Sequence, residues 1–237
     1  MAERPIFVPA PESAELVKEI FFPLKWHSGF APSQKEKNIV ALHAAAAAKG
    51  FTPLLEISTK SEKQRGRHLS AFYMKVQSQR FGKISLECAF QGSKVFERGG
   101  PFIDLYTTDV RQAKRDRRLK ESGPLKGFEF DGFSWPLEPK TAFYDWLYIT
   151  FLYDYRDWAT KLYAYAGFTD IEFNPYRSIN CQARSCALFI TLMKKGLLDM
   201  ALKSPLDFVN LLLNFKYRPQ LLAHDLEARM LGARLTL

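Results

Sequence analysis

A carboxylate, an amide and a lysine stand at close spacing in the segment Glu87-Cys-Ala-Phe-Gln-Gly-Ser-Lys94. If a strand passes into a helix near Phe90, the side chains of Glu87, Gln91 and Lys94 can face one cleft. Burial raises the pKa of a carboxyl group, whereas a helix N-terminus stabilises the carboxylate. The balance of these two effects would decide whether Glu87 donates a proton or stabilises positive charge. A lysine in a partly dry cleft can act as a base or an amine nucleophile. The plainer alternative is an exposed Glu–Lys helix face.

A second group is basic and lies in Arg111-Gln-Ala-Lys114-Arg-Asp-Arg-Arg118. On one continuous helix, Arg111, Lys114, Arg115 and Arg118 would share a face and repel one another. A bound anion would relieve this repulsion, and a phosphate is the obvious choice. The alternative is a solvated basic helix.

A third group is the polar stretch from Phe168 to Arg184, which strongly apolar segments flank. Buried polar groups must be paired, so this stretch is either a surface loop or the wall of a ligand site. We expect Asn180 to cap the helix that carries Arg184, which would leave an N-terminus suited to an anion. The polar members are Asp170, Glu172, Asn174, Arg177, Asn180 and Arg184.

Other signals of chemistry are weak. The four histidines have no spacing typical of a metal site, and the three cysteines form no C-x-x-C pair. A nucleophilic role for Cys88 or Cys181 has no motif partner to support it. We therefore expect neither a metal nor another cofactor.

The elements that must position these groups can be read from periodicity and turn residues. We expect residues 1–24 to form an N-terminal arm, extended apart from a short helix around Glu12 to Ile20, and 25–237 to form one catalytic domain. A capping box beginning at Ser33 predicts a helix over 38–49 that Gly50 closes. Two hairpins are expected, one from strands at 70–76 and 83–88 and one over 128–135 that turns at Asp131-Gly132.

Helices are expected in most of the remainder, and the predicted fold is α+β, helix-dominated, with a small antiparallel sheet. Pro205 should occupy the first position of the last predicted helix. The predicted helices cover 90–97, 110–120, 139–154, 156–165, 180–195, 197–202 and 207–215.

The charge is uneven along the chain. The net charge is +9, and residues 60–120 account for it with 15 Lys and Arg against 6 Asp and Glu. This region favours an anionic partner such as nucleic acid or a pyrophosphate, the alternative being a solubilising surface. The opening residues lack a secretory signal and no apolar run reaches about 18 residues, so we expect a cytoplasmic protein with no membrane association.

Taken in order, these segments resemble the NADAR family. The family pattern runs from a Leu-Ser-x-Phe-like segment through Glu-x-x-Phe-Gln-x-x-Lys-Phe and Arg-x-Ala-Lys-Arg to an acidic loop followed by Asn-x-x-x-Arg. The matching segments here are Leu69-Ser-Ala-Phe72, Glu87 to Lys94, Arg111 to Arg115, Trp135, the aromatic helix containing Phe143, and Asp170 to Arg184.

In its detailed sequence, the chain resembles one subgroup, the NADAR antitoxins paired with DarT-type toxins that ADP-ribosylate guanine in single-stranded DNA. Many family members carry Phe-Trp-Gly and Gly-Gln-Asn before the last helix, where this chain has Phe173-Asn-Pro-Tyr176 and Ser178-Ile-Asn180. The aromatic side chain that lines the ribose or base is therefore either Tyr176 or Trp135.

The resemblance implies a single NADAR domain that hydrolyses the N-glycosidic bond between guanine and ADP-ribose in DNA, releases ADP-ribose and binds its cognate toxin. Glu87 would act at the anomeric carbon, and Lys94 or Lys114 would trap the ring-opened sugar. The ligand-binding residues that it implies are Phe72, Gln91, Arg111, Trp135, Phe143, Asp170, Glu172, Tyr176, Asn180 and Arg184.

Three alternatives stay open at this point. The chain could hydrolyse a different N-ribosylated substrate, or bind nucleic acid without catalysis, or neutralise its toxin by masking it alone.

Overall fold

A computed structural model describes residues 2–29, 31–176, 178–215 and 217. The strands are β1 Ala2–Pro9, β2 Val17–Leu24, β3 Leu54–Glu56, β4 Lys75–Ser78, β5 Gly82–Ser85, β6 Lys94–Phe96, β7 Leu125–Phe130, β8 Phe133–Trp135 and β9 Gly167–Thr169. The helices are α1 Pro32–Ala47, α2 Gln64–His68, α3 Leu86–Gly92, α4 Val110–Arg115, α5 Arg118–Glu121, α6 Ala142–Asp154, α7 Arg156–Ala159, α8 Gln182–Lys194, α9 Leu198–Ala201 and α10 Pro205–Asn214. Two 3₁₀ helices cover Ile103–Thr107 and Thr160–Ala164.

These elements confirm the helix-dominated α+β fold. The strands form three small sheets, with orders β2-β1-β9-β3, β4-β5 and β6-β7-β8. The two smaller sheets are antiparallel as expected, whereas the largest is mixed because β3 and β9 run parallel. Helices α6 and α8 pack against each other in the centre, and α8 also packs on β1. Both helices are lined almost throughout by buried side chains.

The first 24 residues are extended, but they belong to the largest sheet and do not form an arm outside it. Strands β1 and β2 pair antiparallel along their full length. Alternation directs Ile6 and Phe22 into one core cluster and Phe7, on the opposite face, into the other, so β1 is buried on both faces. The short helix expected around 12–20 is wrong. Leu16 has a φ of 63°, a left-handed conformation that a right-handed helix excludes, and the chain turns there.

Helix α1 confirms the predicted helix over 38–49, but it begins earlier and is not capped by Ser33. Its N-cap is Ala31, and Pro32 occupies the first helical position, where the fixed φ of proline suits a helix start.

The hairpin at Asp131-Gly132 is confirmed, since both residues have positive φ, as a two-residue type I′ turn requires. Ser204 caps α10, with Pro205 at its first position as predicted.

Three predicted helices differ in the structure, and the one expected over 156–165 is α7 followed by the 3₁₀ helix Thr160–Ala164. The helix expected over 90–97 is instead α3 followed by the strand β6, because the pairing of Lys94 with Phe128 draws the chain into the third sheet. The helix expected over 110–120 is divided into α4 and α5. Asp116 accepts hydrogen bonds from the backbone N–H and the side chain of Arg118, a local bonding pattern that competes with a continuous helix.

Among the described residues, no helix has the length and apolar character that crossing a bilayer needs.

Candidate functional site

The short helix α3 forms the floor of the candidate site. Every residue of α3 is buried, including Glu87 in its first turn and Gln91 four residues later. The Gln91 Nε2 donates to Glu87 Oε1 at 2.8 Å, as the i, i+4 spacing allows. A buried carboxylate whose oxygen is held by a neighbouring amide has a fixed orientation, which a proton-transfer group needs.

Lys94 extends this chain of polar contacts from the first position of β6. Its Nζ donates to Gln91 Oε1 at 2.7 Å and lies 4.8 Å from the centre of the Phe90 ring. Burial lowers the pKa of Lys94 to about 8, the Glu87 carboxylate opposes this shift, and the nearby Lys114 ammonium adds to it. At pH 7 about a tenth of this amine is therefore unprotonated and nucleophilic, far more than for an ordinary lysine.

Lys114 closes the network from α4. Its Nζ lies 3.5 Å from Glu87 Oε1 and 5.2 Å from the centre of the Phe72 ring. Helix α4 is held in place by its N-cap Asp109, which accepts from two backbone N–H groups, and by Ala113, which is fully buried against Cys88 and Leu105. Arg111 is exposed one helical turn before Lys114, so the two cations are neighbours on the helix surface.

The structure thus brings together five residues that the sequence singled out. Glu87, Gln91, Lys94 and Lys114 form one polar network, and the half-exposed ring of Phe72 stands at its edge. The exposed Glu–Lys face considered as an alternative is wrong for α3, because the Glu87 side chain is only 9% exposed.

The loop after β9 forms a second polar region. Asp170 Oδ1 accepts from the backbone N–H groups of Glu172 and Phe173, and burial followed by the Glu56 and Glu172 charges raises the Asp170 pKa well above its usual range. Glu172 and Tyr176 are exposed, and Thr59 donates to Glu172 Oε2 at 3.2 Å. Arg177 lies outside the described residues.

Two buried residues that sequence reasoning missed connect this loop to the floor of the site. Gln182 accepts from the Ala71 backbone N–H at 2.8 Å, donates to the Ile57 carbonyl at 2.7 Å and also bonds Asp170. Tyr144 feels the charges of both Glu87 and Asp170, which add to the effect of burial in raising its pKa. Gln182 follows Asn180 within the last motif, and this position was the one available signal.

Asn180 does not cap α8. The N-cap of α8 is Cys181, which makes no side-chain capping bond. The Oδ1 atom of Asn180 is buried and has no hydrogen-bond partner among the described residues. Unsatisfied buried acceptors are uncommon, so this atom remains one that a ligand could engage.

Trp135 and Phe143 lie in the core and not on a ligand surface. Trp135 is 3% exposed and Phe143 is 1% exposed, and their ring centres are 5.3 Å apart. Trp135 also packs on Phe133 and Trp146. Neither ring can stack on a ligand without opening this cluster, so of the two aromatic alternatives Tyr176 is the accessible one, with 67% of its surface exposed.

Arg184 is also internal, which contradicts the expectation that it binds a ligand. Its Nε lies 2.7 Å from Glu19 Oε1, its Nη1 donates to Thr141 Oγ1 at 3.1 Å, and its guanidinium lies 4.3 Å from the centre of the Tyr217 ring. These contacts join the β1–β2 hairpin, the start of α6 and the chain after α10. Arg184 therefore has a structural role.

The four-residue basic face expected on one helix does not form, since Arg118 belongs to α5. Its guanidinium pairs with Asp104 at 2.6 Å and with Asp116 at 2.9 Å, and it stacks over Phe102. An arginine already paired twice is poorly suited to bind a further anion. Of the α4 cations, Lys114 belongs to the network, and Arg111 is exposed one helical turn before it.

The described residues contain no group of three or more His, Cys, Asp or Glu side chains that could hold a metal ion. Burial raises the pKa of Cys88 and, more strongly, that of Cys181. A thiol with a raised pKa is a poor nucleophile near neutral pH. The acid, amide and amine groups on α3, β6 and α4 are therefore the groups of this site that are best arranged for acid–base and nucleophilic chemistry.

One comparison with known families identifies the family of this chain. A family model described as "DarT1-associated NADAR antitoxin" matches residues 2–220 and so includes the hairpin, the polar network and the Asp170 loop. No curated protein matches the chain. Because the family model matches nearly the whole chain, this protein belongs to the family of DarT1-associated NADAR antitoxins.

Proposed function

We propose that this chain is an ADP-ribosyl glycohydrolase that removes ADP-ribose from guanine bases in single-stranded DNA and so acts, in the cytoplasm, as the antitoxin to a DarT1-type toxin. The observation that carries the proposal is the buried Glu87 carboxylate, linked to the Lys94 amine through Gln91 and contacted by Lys114. Membership in an antitoxin family supports the biological role and implies a DarT1-type toxin as partner.

The reaction must move protons around the anomeric carbon C1″ of the distal ribose. In the first step the C1″–O4″ bond breaks, the bond from C1″ to the guanine nitrogen becomes an imine, and the proton of that nitrogen passes to O4″. Glu87 is suited to carry this proton, because its Oε1 is held by Gln91 in one orientation. A positioned acid–base group of this kind contributes roughly 10²- to 10⁴-fold to a rate.

The Lys94 amine is suited to the second step. Its free electron pair attacks C1″ of the ring-opened imine, and the guanine nitrogen leaves as an amine after taking both protons of the lysine. The resulting lysine imine then reacts with water to give the aldehyde form of ADP-ribose and free Lys94. The lowered pKa of Lys94, about 8, supports this role.

The groups around the network fit the rest of the ligand. Arg111 and Lys114 on α4 would face the pyrophosphate charges, and the half-exposed Phe72 ring would stack on an aromatic or ribose face. Tyr176, Glu172 and Asn180 on the opposite loop would contact the base or the ribose, with Asp170 holding the loop through its backbone bonds.

The first test is release of ADP-ribose from an oligonucleotide that carries ADP-ribosyl-guanine. We expect Glu87→Gln, which keeps the shape and removes the charge, to lower kcat by at least about a hundredfold. The matched control is Glu129→Gln, because Glu129 is an exposed glutamate on β7. This control should keep the wild-type rate.

Each other outcome corresponds to a rival function. Equal release by wild type and Glu87→Gln would keep the activity and remove Glu87 from the chemistry. No release by the wild-type protein would rule out this reaction. If Glu87→Gln lost hydrolysis but still neutralised a DarT1-type toxin in cells, the antitoxin effect would come from masking.

A further inference from the structure

A second cleft lies on the β1–β2 hairpin side of the Asp170 loop. It has a volume of about 430 Å³ and is lined by Ala2, Arg4, Lys25, Trp26 and Ser28. None of these lining residues is acidic, so the cleft has a positive character. Lys35 in the first turn of α1 adds a third cation beside it, with Nζ 5.8 Å from the centre of the Trp26 ring.

Arg4 is the cation of this cleft whose position is best fixed. The Arg4 guanidinium lies 4.4 Å from the centre of the Trp26 ring, a cation–π contact that fixes its position. Its Nη1 donates to the Glu3 carbonyl oxygen, while its Nε is buried and has no partner among the described residues. Within the same part of the chain, no ion pair is formed by Arg4, Lys25 or Lys35.

The cleft borders the loop that forms one wall of the candidate site. Strand β9 runs antiparallel to β1 with Phe7 opposite Phe168, so the chain that leaves β9 passes along the beginning of β1, where Arg4 lies. Burial lowers the pKa of Arg4 and the nearby Tyr176 hydroxyl opposes this shift, so the two side chains lie close to each other. A DNA strand whose modified base lies beside Tyr176 would therefore place its neighbouring nucleotides at the Arg4 cleft.

The combination of ring surface and unpaired cations is typical of sites that bind single-stranded nucleic acid, where bases stack and phosphates contact Lys and Arg. We propose that the Arg4–Trp26 cleft binds a segment of single-stranded DNA next to the modified nucleotide. In this arrangement Arg4, Lys25 and Lys35 contact phosphates and Trp26 supplies the stacking surface. This inference rests on the proposed function for its choice of DNA.

The test uses single-stranded DNA of roughly 12 nucleotides that carries a fluorescent label and no ADP-ribose, a length within the site sizes usual for such proteins. Anisotropy would give Kd at several salt concentrations. We expect the double variant Lys25→Gln/Lys35→Gln to reduce the slope of log Kd against log salt by about 1.4, at about 0.7 for each lost phosphate contact. At 0.1 M salt this corresponds to roughly 25-fold weaker binding.

Lys49→Gln is the matched control. Lys49 follows the opposite end of α1, about 20 Å from Lys35 at 1.5 Å per residue, and it is exposed. This variant should leave both the affinity and the slope unchanged. Trp26→Leu should weaken binding at least about fivefold, because it removes both the stacking surface and the ring that holds Arg4 in place.

The binding assay separates this inference from the proposed reaction. An unchanged slope in the double variant, or failure of the wild-type protein to bind the strand, would overturn the inference even if ADP-ribose is released normally. Loss of toxin binding without loss of DNA binding in the double variant would assign the cleft to a protein partner and would also overturn it. If DNA binding responds as expected but no ADP-ribose is released, the inference stands and the proposed reaction falls.

Discussion

At the scale of single residues, the amine of Lys94 lies between opposing electrostatic effects. Burial and the Lys114 ammonium favour its neutral form, whereas the Glu87 carboxylate favours its charged form, and the pKa is lowered to about 8. Below pH 8 the charged form dominates. If neutral Lys94 is the nucleophile, the rate should rise about tenfold per pH unit up to pH 7 or so, then level off above about pH 8.

The measurement is the single-turnover rate from pH 5.5 to 9.5, together with borohydride trapping of the lysine imine and mass spectrometry of the labelled peptide. Lys94→Arg should abolish trapping, since arginine keeps its charge at all these pH values. Lys114→Gln removes a like charge and should move the midpoint to higher pH. Trapping on Lys114, or a pH profile that Lys114→Gln leaves in place, would contradict this assignment.

The spacing of Glu87, Gln91 and Lys94 predicted that these side chains meet, although the helix was expected over 90–97. Glu87 and Gln91 meet across one turn of α3, and Lys94 joins them from β6. The sequence was not sufficient for Trp135, Phe143 and Arg184, which the resemblance placed at the ligand. A motif shows that a residue type recurs, but burial depends on which face of β8, α6 or α8 packs inward. That choice is made by contacts distant in sequence, such as the one between Arg184 and Glu19.

At the scale of elements, α3 is positioned by a close approach at its last residue, Gly92. A Cβ built there would lie 2.6 Å from the Tyr106 ring and 2.9 Å from the Phe102 carbonyl oxygen. The 3₁₀ helix that carries Tyr106 therefore packs directly against the end of α3. This contact sets the position of Glu87 and Gln91 relative to Lys94.

We expect Gly92→Ala to lower the free energy of unfolding by roughly 1–3 kcal/mol, the usual cost of overpacking. It should also slow hydrolysis in the folded protein, because α3 must shift. The comparison is Gly132→Ala, where a Cβ meets nothing within 4 Å and only the positive φ of 80° adds strain, of about 1–2 kcal/mol. Urea unfolding and the single-turnover rate would be measured for both. A Gly92→Ala protein with wild-type stability and rate would show that α3 is not fixed in this way.

Elements with strong local signals were predictable from the sequence, and those that depend on pairing were not. The Asp131-Gly132 turn and the start of α10 at Pro205 follow from residues that allow few other conformations. The change from α3 to β6 within 11 residues depends on the pairing of β6 with β7, about 30 residues later. The break between α4 and α5 depends on one side chain, Asp116, that bonds locally.

At the scale of the whole molecule, one buried ion pair joins the two ends of the described chain to its centre. Glu19 on β2 and Arg184 on α8 are 2.7 Å apart, with side chains 1% and 3% exposed. Tyr217 stacks on the same guanidinium and donates to Asp145 Oδ2 at 2.9 Å, so the chain after α10 shares the cluster. The hairpin that carries the Arg4–Trp26 cleft is therefore anchored through Glu19 to the helix that follows the Asp170 loop.

Removing one partner of a buried ion pair is strongly destabilising and typically costs about 3–5 kcal/mol. We expect Glu19→Gln and Arg184→Met each to lower the free energy of unfolding by about this amount in urea. The double variant should lose less than the sum, because both changes remove the same contact. Glu3→Gln, an exposed glutamate on the same hairpin, should change stability by less than about 0.5 kcal/mol.

The same variants decide between a structural and a ligand-binding Arg184. A structural role predicts that Arg184→Met, assayed at a temperature where it is fully folded, keeps a KM close to that of the wild-type protein. If Arg184 binds the ligand, Arg184→Met should instead raise KM strongly at little cost in stability, and Glu19→Gln should leave KM unchanged. Because the guanidinium already contacts Glu19, Thr141 and Tyr217, we expect Arg184→Met to lower the free energy of unfolding and to leave KM unchanged. In this variant the β1–β2 hairpin should separate from α8 before the rest of the core unfolds.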